Sequence, residues 1–393
     1  MPDVVLGVCG SVAAYRACDL ARDLMRAGCT VRVCLTDAAQ NFVTAAQFEA
    51  LTGQPCLADT FEEPERGRMA HIDWARKADL VLIAPATANT LNKVANGIGD
   101  DMLTTLLLAS TCPIVAAPAM NPAMYQHPET QSSLAKLTSR GVLFIEPQEG
   151  DVACGENGQG KLAANREIVE FVGTVLCRSK LLAGKTLLLT SGPTQEPVDS
   201  VRYLTNRSSG KMGVAMARAA KLMGAEVTMV AGPSQAIAPR DVTVVPVQTA
   251  KEMLEACRRH VASADWVIGL AAVADYRVAG AAQTKIRRTE DDLVLTLTPN
   301  PDIIATLASE NLDKTVIAFA AEPGIDPEYI ADKLKRKGVA AMAVNDISNP
   351  EIGFGSDENE LTLYFAGGAV AKSGRRSKLA CALWMLEQLA EKL

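Results

Sequence analysis

The residues of this 393-residue chain best suited to chemistry on a small molecule are one histidine, one cysteine and two asparagines, each in a short segment rich in Gly, Pro or Thr. His71, in Met69-Ala-His-Ile-Asp-Trp74, stands just before a helical turn that leads into an apolar run. An imidazole there is either a general base or a surface or capping side chain. His127 and His260 have no comparable neighbours and read as ordinary histidines. Cys154, in Asp151-Val-Ala-Cys-Gly-Glu-Asn-Gly-Gln-Gly160, differs from the other nine cysteines in lying in a Gly-rich loop. Buried cysteines behave as small hydrophobes, whereas a thiol on such a loop can carry a proton. Asn89 in Pro85-Ala-Thr-Ala-Asn-Thr90 and Asn121 in Pro118-Ala-Met-Asn121 either bind a ligand or bond their own backbone as turn residues.

Hydroxyls supply the rest of the first constellation. Ser11, Thr36, Thr87 and Thr90 each follow a run of apolar residues, a spacing suited to a single phosphate such as that of FMN. Gly7-Val-Cys-Gly10 is G-x-x-G and not the G-x-G-x-x-G of dinucleotide folds, although Asp37 after the second run keeps a ribose contact open.

These residues need a scaffold that brings strand ends together. Residues 13–27 form a predicted amphipathic helix closed by Gly28, and Val31–Leu35, Leu80–Ala84, Ile114–Ala117 and Val142–Ile145 read as strands. Strands alternating with helices imply a doubly wound parallel sheet, with ligands beyond the C-terminal ends of the strands. A second start of the same kind occurs at Lys185-Thr-Leu-Leu-Leu-Thr-Ser-Gly-Pro193. The fold class is therefore α/β with two Rossmann-like or flavodoxin-like domains, 1–180 and 181–393, each with its own site.

In the second half the connection from Ser191 to Gly210 far exceeds the ~2–6 residues usual between strand and helix. Gly210-Lys211 is no P-loop, because Met212 follows the lysine and no Gly lies five residues before Gly210. What remains is a long polar loop before a helix predicted over 212–223, suited to wrapping an anion. Val267–Ala272 is a strand that ends ahead of Asp275, Lys285-Ile-Arg-Arg288 is either a phosphate clamp or a solvated edge, and Asn300-Pro-Asp-Ile-Ile304 opens a helix. Lys333 and Lys337 share a helix face at i, i+4.

Composition narrows the partners. Net charge is -6 and the basic residues are scattered, which argues against a nucleic-acid or membrane surface and for small-molecule substrates. The ten cysteines form no C-x-x-C pair, no apolar run approaches the ~18 residues of a span, and no leader-like segment opens the chain; a cytoplasmic protein with reduced thiols is expected.

Together, Gly7-Val-Cys-Gly-Ser-Val-Ala-Ala-Tyr15, His71, Pro85–Thr90, Pro118–Tyr125 and Ala153-Cys-Gly155 resemble the homo-oligomeric flavin-containing cysteine decarboxylases. That resemblance implies FMN held by Gly10, Ser11, Val12, Thr36, Thr87, Ala88, Asn89, Thr90 and Ala119. It implies His71 as catalytic base, Asn121 as ligand of the substrate carboxylate and Cys154 as proton donor. Thr87 stands where the family usually has serine, and Tyr125 where it often has Trp. The implied chemistry is oxidation of the thiol-bearing carbon, loss of CO2 to an enethiolate stabilised by sulfur, and return of the hydride, with no net redox change.

The second half, over most of 185–370, resembles the bacterial phosphopantothenate-cysteine ligases that use CTP. The likeness rests on Ser191-Gly-Pro-Thr194, Arg202-Tyr203, Asn206, Ser208-Ser-Gly-Lys-Met-Gly213, Ala271-Ala-Val-Ala-Asp-Tyr276, Asn300–Ile303, Phe319-Ala-Ala-Glu322 and Asn345-Asp346. It implies CTP contacts at Gly269, Leu270, Ala271, Asp275, Lys285, Pro301, Asp302, Ile303, Ile304, Phe319, Lys333 and Lys337, and a role for Asn206 on the acyl-cytidylate. Mg2+ is implied with CTP, its protein ligands undefined. Arg287 and Arg288 stand where the family often has lysines.

The order of halves is that of bifunctional coenzyme A synthesis. The resemblance implies 4'-phosphopantothenate and cysteine as further substrates, a trimer-based flavin domain and a dimeric ligase domain. The competing readings are a non-catalytic flavin-fold subunit, which would lack His71 or Cys154, and an NAD(P)-dependent reductase, which lacks its glycine fingerprint here.

Overall fold

The computed structural model describes residues 1–61, 69–152, 155–177, 180–288, 292–348, 352 and 355–393. It divides the chain into two units, Met1–Arg178 and Ser179–Leu393.

The first unit is built on a six-stranded parallel sheet of β1 (Asp3–Val8), β2 (Thr30–Leu35), β3 (Cys56–Leu57), β4 (Leu80–Ala86), β5 (Ile114–Pro118) and β6 (Leu143–Phe144). Their spatial order is β3-β2-β1-β4-β5-β6, so the chain reverses direction between β1 and β4 and opens a crevice at that switch point. β4 is buried along its whole length, as a parallel strand covered on both faces must be. The helices that cover the sheet are α1 (Arg16–Arg26), α2 (Ala45–Thr52), α3 (Ala70–Lys77), α4 (Ala88–Ala95), α5 (Met102–Ala109), α6 (Pro122–Gln126), α7 (Pro128–Ser139) and α8 (Asn165–Leu176). Leu103, Leu106 and Leu107 of α5 meet Ala70, Trp74 and Ala75 of α3 and Val81 and Ile83 of β4 in one apolar cluster.

An antiparallel hairpin, β7 (Gln148–Asp151) with β8 (Asn157–Lys161), follows the sheet. The helix expected over 13–27 begins instead as a 3-10 turn, Val12–Tyr15, capped by the Ser11 side chain, with the α-helix starting at Arg16. Arg16 itself turns inward: its guanidinium donates to the carbonyls of Leu162 (2.9 Å) and Ala163 (2.8 Å) and thereby ties α1 to the end of the hairpin.

The second unit repeats the theme with an eight-stranded sheet. Its strands are β9 (Thr186–Ser191), β12 (Glu226–Ala231), β13 (Thr243–Pro246), β14 (Trp266–Gly269), β17 (Thr315–Glu322), β18 (Ala341–Asp346), β20 (Thr362–Phe365) and β21 (Val370–Lys372). The order is β13-β12-β9-β14-β17-β18-β20-β21, parallel except for β20 and β21, an antiparallel edge that the periodicity did not reveal. The covering helices are α9 (Lys211–Leu222), α10 (Ala250–His260), α11 (Ile303–Glu310), α12 (Pro327–Lys337) and α13 (Lys378–Lys392). α9 lies close on β9 because position 213 has no side chain: a Cβ there would approach the Cβ of Ser191 to 2.5 Å. The helix read as 212–223 is Lys211–Leu222, one residue earlier, because Gly210 takes the left-handed conformation at its N-cap, φ 73°.

The long connection 191–210 is not featureless loop. It folds into a small hairpin, β10 (Gln195–Pro197) with β11 (Tyr203–Thr205). A second small hairpin pairs β15 (Tyr276–Val278) with β16 (Leu297–Pro299), and β19 (Glu358–Asn359) pairs with β22 (Arg376–Ser377). Asp199 joins the first hairpin to the segment before residue 289. Its Oδ1 accepts from the N–H of Val201 and Arg202, both at 2.8 Å, and its Oδ2 from the N–H of Ile286 at 3.1 Å and the Arg202 guanidinium at 2.6 Å.

Burial works against ionisation of Asp199, but the three N–H donors and Arg202 outweigh it and hold the carboxyl well below the usual range. A depressed carboxyl stabilises the folded state fully above its unfolded pKa, and the contribution is lost as pH falls through that value towards the folded one. In Asp199→Asn, an NH2 at the Oδ2 position would face Ile286 N–H and Arg202. At about pH 7 the variant is expected to melt several degrees below wild type, the gap narrowing at about pH 3; equal melting at about pH 7 would remove this role.

Candidate active sites

In the first unit, the candidate residues gather at the C-terminal ends of β1, β2, β4 and β5. Ser11, Thr36 and Thr87 each act as an N-cap: their oxygens accept from the N–H of Ala13 (3.2 Å), Ala39 (3.3 Å) and Thr90 (3.5 Å). The same hydroxyls are therefore local structural groups first, and any phosphate they hold shares them with helix starts. Gly10 lies against the turn after β2, where a Cβ would collide with Ala38, so only glycine lets the two strand ends come this close. Thr90, Ala88 and Ala119 are buried, Asn89 and Val12 are exposed, and the Ala119 N–H is spent on the Ala86 carbonyl (3.0 Å). Cys9 lies beneath this cradle; burial pushes its thiol up, with hydrogen bonds from Thr90 and Thr87 working the other way, so it stays a thiol at neutral pH.

His71 sits in the first turn of α3 and not ahead of it, with Ala70 and Trp74 of the same helix packed into the core. Its Nδ1 is buried and has no hydrogen-bond partner among the described residues. A buried polar atom without a partner needs an explanation, and a ligand is one.

Asn121 caps α6, its Oδ1 accepting from Ala123 N–H at 2.8 Å, while its Nδ2 donates to Glu156 Oε2 at 2.9 Å. Cys154 lies outside the described residues. The β7–β8 hairpin is seated on the Asn121 segment, since Met120 N–H donates to the Gly160 carbonyl at 3.0 Å. Glu156, two residues beyond Cys154, thus meets Asn121, a juxtaposition of residues 35 apart with no local signal in the sequence.

In the second unit one cavity of about 860 Å³ runs across the ends of β9, β14 and β17. Gly269, Leu270, Ala271, Asp275, Pro301, Asp302, Ile303, Ile304, Phe319, Lys333, Lys337 and Asn206 all line it. Gly269 is required by the approach of Ile304, whose side chain a Cβ would strike. Asp302 caps α11, its Oδ1 accepting from Ala305 N–H at 3.1 Å, and pairs with Lys337 through Oδ2. Burial raises its pKa, but Lys337, the Ala305 N–H and Lys333 prevail and hold it below the usual range. Lys333 pairs with Glu322 at 2.5 Å. The two lysines on one helix face therefore each carry a carboxylate from a different segment.

Asn206 donates through Nδ2 to the carbonyls of Ala272 (3.2 Å) and Val273 (3.0 Å), which leaves Oδ1 as the atom of its amide without a protein partner among the described residues. Lys285 is the exception among the expected nucleotide residues. It is exposed and does not line the cavity; it lies beside Ile286, the residue clipped by Asp199 and Arg202. Sequence reasoning passed over Lys378 and Asn359, which line the cavity from α13 and β19, and placed no role on Asn345, whose buried Oδ1 has no hydrogen-bond partner among the described residues. Asn345 enters the ligase resemblance only as part of Asn345-Asp346; what marks its side chain for a role is the orphaned atom in the cavity.

Among the described residues no group of three or more His, Cys, Asp or Glu is arranged to hold a metal ion, and no helix is long and apolar enough to cross a membrane.

Two family models match the chain, one described as Flavoprotein over residues 1–176 and one as DNA/pantothenate metabolism flavoprotein C-terminal domain over residues 182–393. The Coenzyme A biosynthesis bifunctional protein CoaBC of Vibrio vulnificus (strain YJ016) is 39% identical over 390 residues, covering 98% of this chain and 96% of its own length. The protein of the same description from Bacillus subtilis (strain 168) is 39% identical over 391 residues, 99% of this chain and 96% of its own. A crystal structure of the C-terminal domain of a CoaBC protein is 37% identical, covers 54% of this chain and 97% of that one, and has a TM-score of 0.47.

Proposed function

Since the chain belongs to the family of coenzyme A biosynthesis bifunctional (CoaBC) proteins, we propose the following division of labour between its two units. The second unit, taken as 181–393, joins cysteine to 4'-phosphopantothenate with CTP; the first, taken as 1–180, decarboxylates the 4'-phosphopantothenoylcysteine so formed to 4'-phosphopantetheine on FMN. The observation that carries the ligase assignment is the single cavity that gathers strand ends, the N-terminus of α11 and the lysines of α12. Homo-oligomers, trimer-based in the first unit and dimeric in the second, belong to the same proposal.

The strand ends of the first unit fit a flavin mononucleotide. Three capping hydroxyls, the close approach at Gly10 and the orphaned Nδ1 of His71 form a cradle of neutral donors and acceptors suited to one phosphate and a heteroaromatic ring. Gly10, Ser11, Val12, Thr36, Thr87, Ala88, Asn89, Thr90 and Ala119 are the proposed contacts. When bound, the flavin supplies an acceptor and donor of hydride. His71 takes the proton at the start of the reaction, and Cys154 returns one at the end. Asn121 holds the substrate carboxylate, for which its Nδ2 must exchange Glu156 for the ligand.

In the second unit, Gly269, Leu270, Ala271, Asp275 and the Pro301–Ile304 segment receive the base and ribose of CTP, with Phe319, Lys333 and Lys337. Mg2+ enters with the phosphates, which supply its oxygen ligands together with at most one or two carboxylates, as is usual for this ion. Lys285 neutralises phosphate charge once its segment is brought to the cavity, and Asn206 acts when the cysteine amine attacks.

The full chain, supplied with 4'-phosphopantothenate, cysteine, CTP and Mg2+, is expected to release pyrophosphate and CO2 in equal amounts and to show a flavin spectrum as purified or after reconstitution with FMN. Pyrophosphate without CO2 would remove the decarboxylase half. CO2 from supplied 4'-phosphopantothenoylcysteine without any CTP turnover would remove the ligase half.

A further inference from the structure

The cavity of the second unit has a cationic end whose charges are unequally matched. Lys333 is paired with Glu322 and Lys337 with Asp302, while Lys211, at the start of α9, is paired with Asp357 at 2.6 Å. Lys378 also lines the cavity and is only 8% exposed, yet it makes no ion pair among the described residues: Asp357, the carboxylate that attracts it, is already paired with Lys211. Its Nζ donates to the carbonyls of Ser356 and, at 3.2 Å, Glu358, which uses two of the three N–H bonds of the ammonium.

Three features of this placement are unfavourable for an empty protein. A buried cation that must share its nearest counter-charge with a second lysine is costly. Lys378 is also the first residue of the 15-residue α13, whose N-terminus carries the positive end of the helix dipole and has no acidic residue in its first turn. Burial, and then like-charge repulsion from Lys211, depress the Lys378 pKa against the attraction of Asp357. The residue is nevertheless held in place: Ser377 caps α13 by accepting from Ala380 N–H at 3.0 Å, and β22, which leads directly into it, pairs with β19. The N-terminus of α9 faces the same cavity with no side-chain cap at Gly210. A polyanion at this end would offset every one of these costs at once.

We infer that Lys378 binds the outer phosphates of the nucleoside triphosphate and, together with Lys211, holds them as pyrophosphate departs. The inference rests on the reading of this cavity as the CTP site. In the step concerned, the substrate carboxylate oxygen bonds to the α-phosphorus while the bond from that phosphorus to the α,β-bridging oxygen breaks. The electron pair leaves on pyrophosphate, where the two ammonium groups meet it.

The test compares CTP and CMP binding to the full chain in the presence of Mg2+, in wild type, Lys378→Gln and Lys378→Arg. Glutamine removes the charge and, one bond shorter than lysine, keeps an NH2 donor for the Ser356 and Glu358 carbonyls. Lys378→Gln is expected to weaken CTP binding roughly 10- to 100-fold while changing CMP binding less than about 2-fold, and Lys378→Arg is expected to recover most of the loss. Lys378→Met provides a second neutral side chain of similar length. CTP and CMP weakened alike, or CTP bound as tightly as by wild type, would overturn the role of Lys378. So would failure of both neutral variants to fold, which would assign the lysine to structure. A wild-type chain that binds neither nucleotide would instead overturn the reading of the cavity.

Discussion

His71→Asn is expected to lower CO2 release from 4'-phosphopantothenoylcysteine by ~10²–10⁴-fold, the range of a lost general base, while pyrophosphate release by the same chain continues. The structure makes this a sharp test. His71 is fixed by the packing of Ala70 and Trp74 on either side of it in α3, so the substitution does not disturb a mobile element. Asparagine can still place a polar atom near the position of Nδ1 but cannot take a proton at neutral pH. Cys154→Ser should behave differently, releasing CO2 but accumulating an oxidised enethiol product instead of the saturated thiol, because its proton is needed only after CO2 has left. Carbon dioxide measured against the product mass separates the two variants. Near-normal CO2 from His71→Asn, or ordinary product from Cys154→Ser, would remove the corresponding role.

Asn206→Asp is expected to form the acyl-cytidylate and then fail to pass it to cysteine, with a loss of transfer rate of ~10²–10³-fold, the scale of losing one preorganised polar group at an active site. The two carbonyls that accept from Nδ2 explain why so small a chemical change is severe. A carboxylate oxygen in place of Nδ2 would face the oxygens of Ala272 and Val273 and repel them, displacing the wall of the cavity where the intermediate is to be held. Lys285→Gln should fail one step earlier and yield no acyl-cytidylate. Mass spectrometry of the intermediate, without and with cysteine, distinguishes the outcomes. Conversion at the wild-type rate in Asn206→Asp would show that its amide only supports the loop, and normal intermediate in Lys285→Gln would leave that lysine on the surface where the structure places it.

Much of the scaffold was legible because parallel strands buried on both faces leave continuous apolar runs. Leu80–Ala86 and Trp266–Gly269 are such runs, and the ligand-facing residues follow them directly. The short hairpins were not legible. β10 and β11 are three residues each and lie within a polar segment whose composition is that of a loop; their pairing depends on contacts such as Thr205 Oγ1 donating to the Thr194 carbonyl at 2.7 Å. The antiparallel edge of β20 and β21 was missed for a related reason, since the edge direction is set by the turn between the strands and by pairing with β18. Lys285 shows the limit of a charge run: its exposed position follows from the clip at Asp199, and nothing within Lys285–Arg288 reports it.

By itself the sequence determined two α/β units in tandem and the strands whose ends carry the candidate residues, because burial on a parallel sheet and the position of strand ends are written in local periodicity; the residues expected at the second cavity were readable only through the family resemblance of their motifs. Tertiary structure alone decided which polar atoms are already spent and which are left. It tied Asn121 to Glu156, turned the Asn206 N–H groups onto carbonyls, left His71 Nδ1 without a partner among the described residues and brought Lys378 into a cavity whose other residues lie up to 188 positions away, at Thr190. Hydrogen-bond commitment and charge balance arise between segments distant in the chain, so no window of residues contains them.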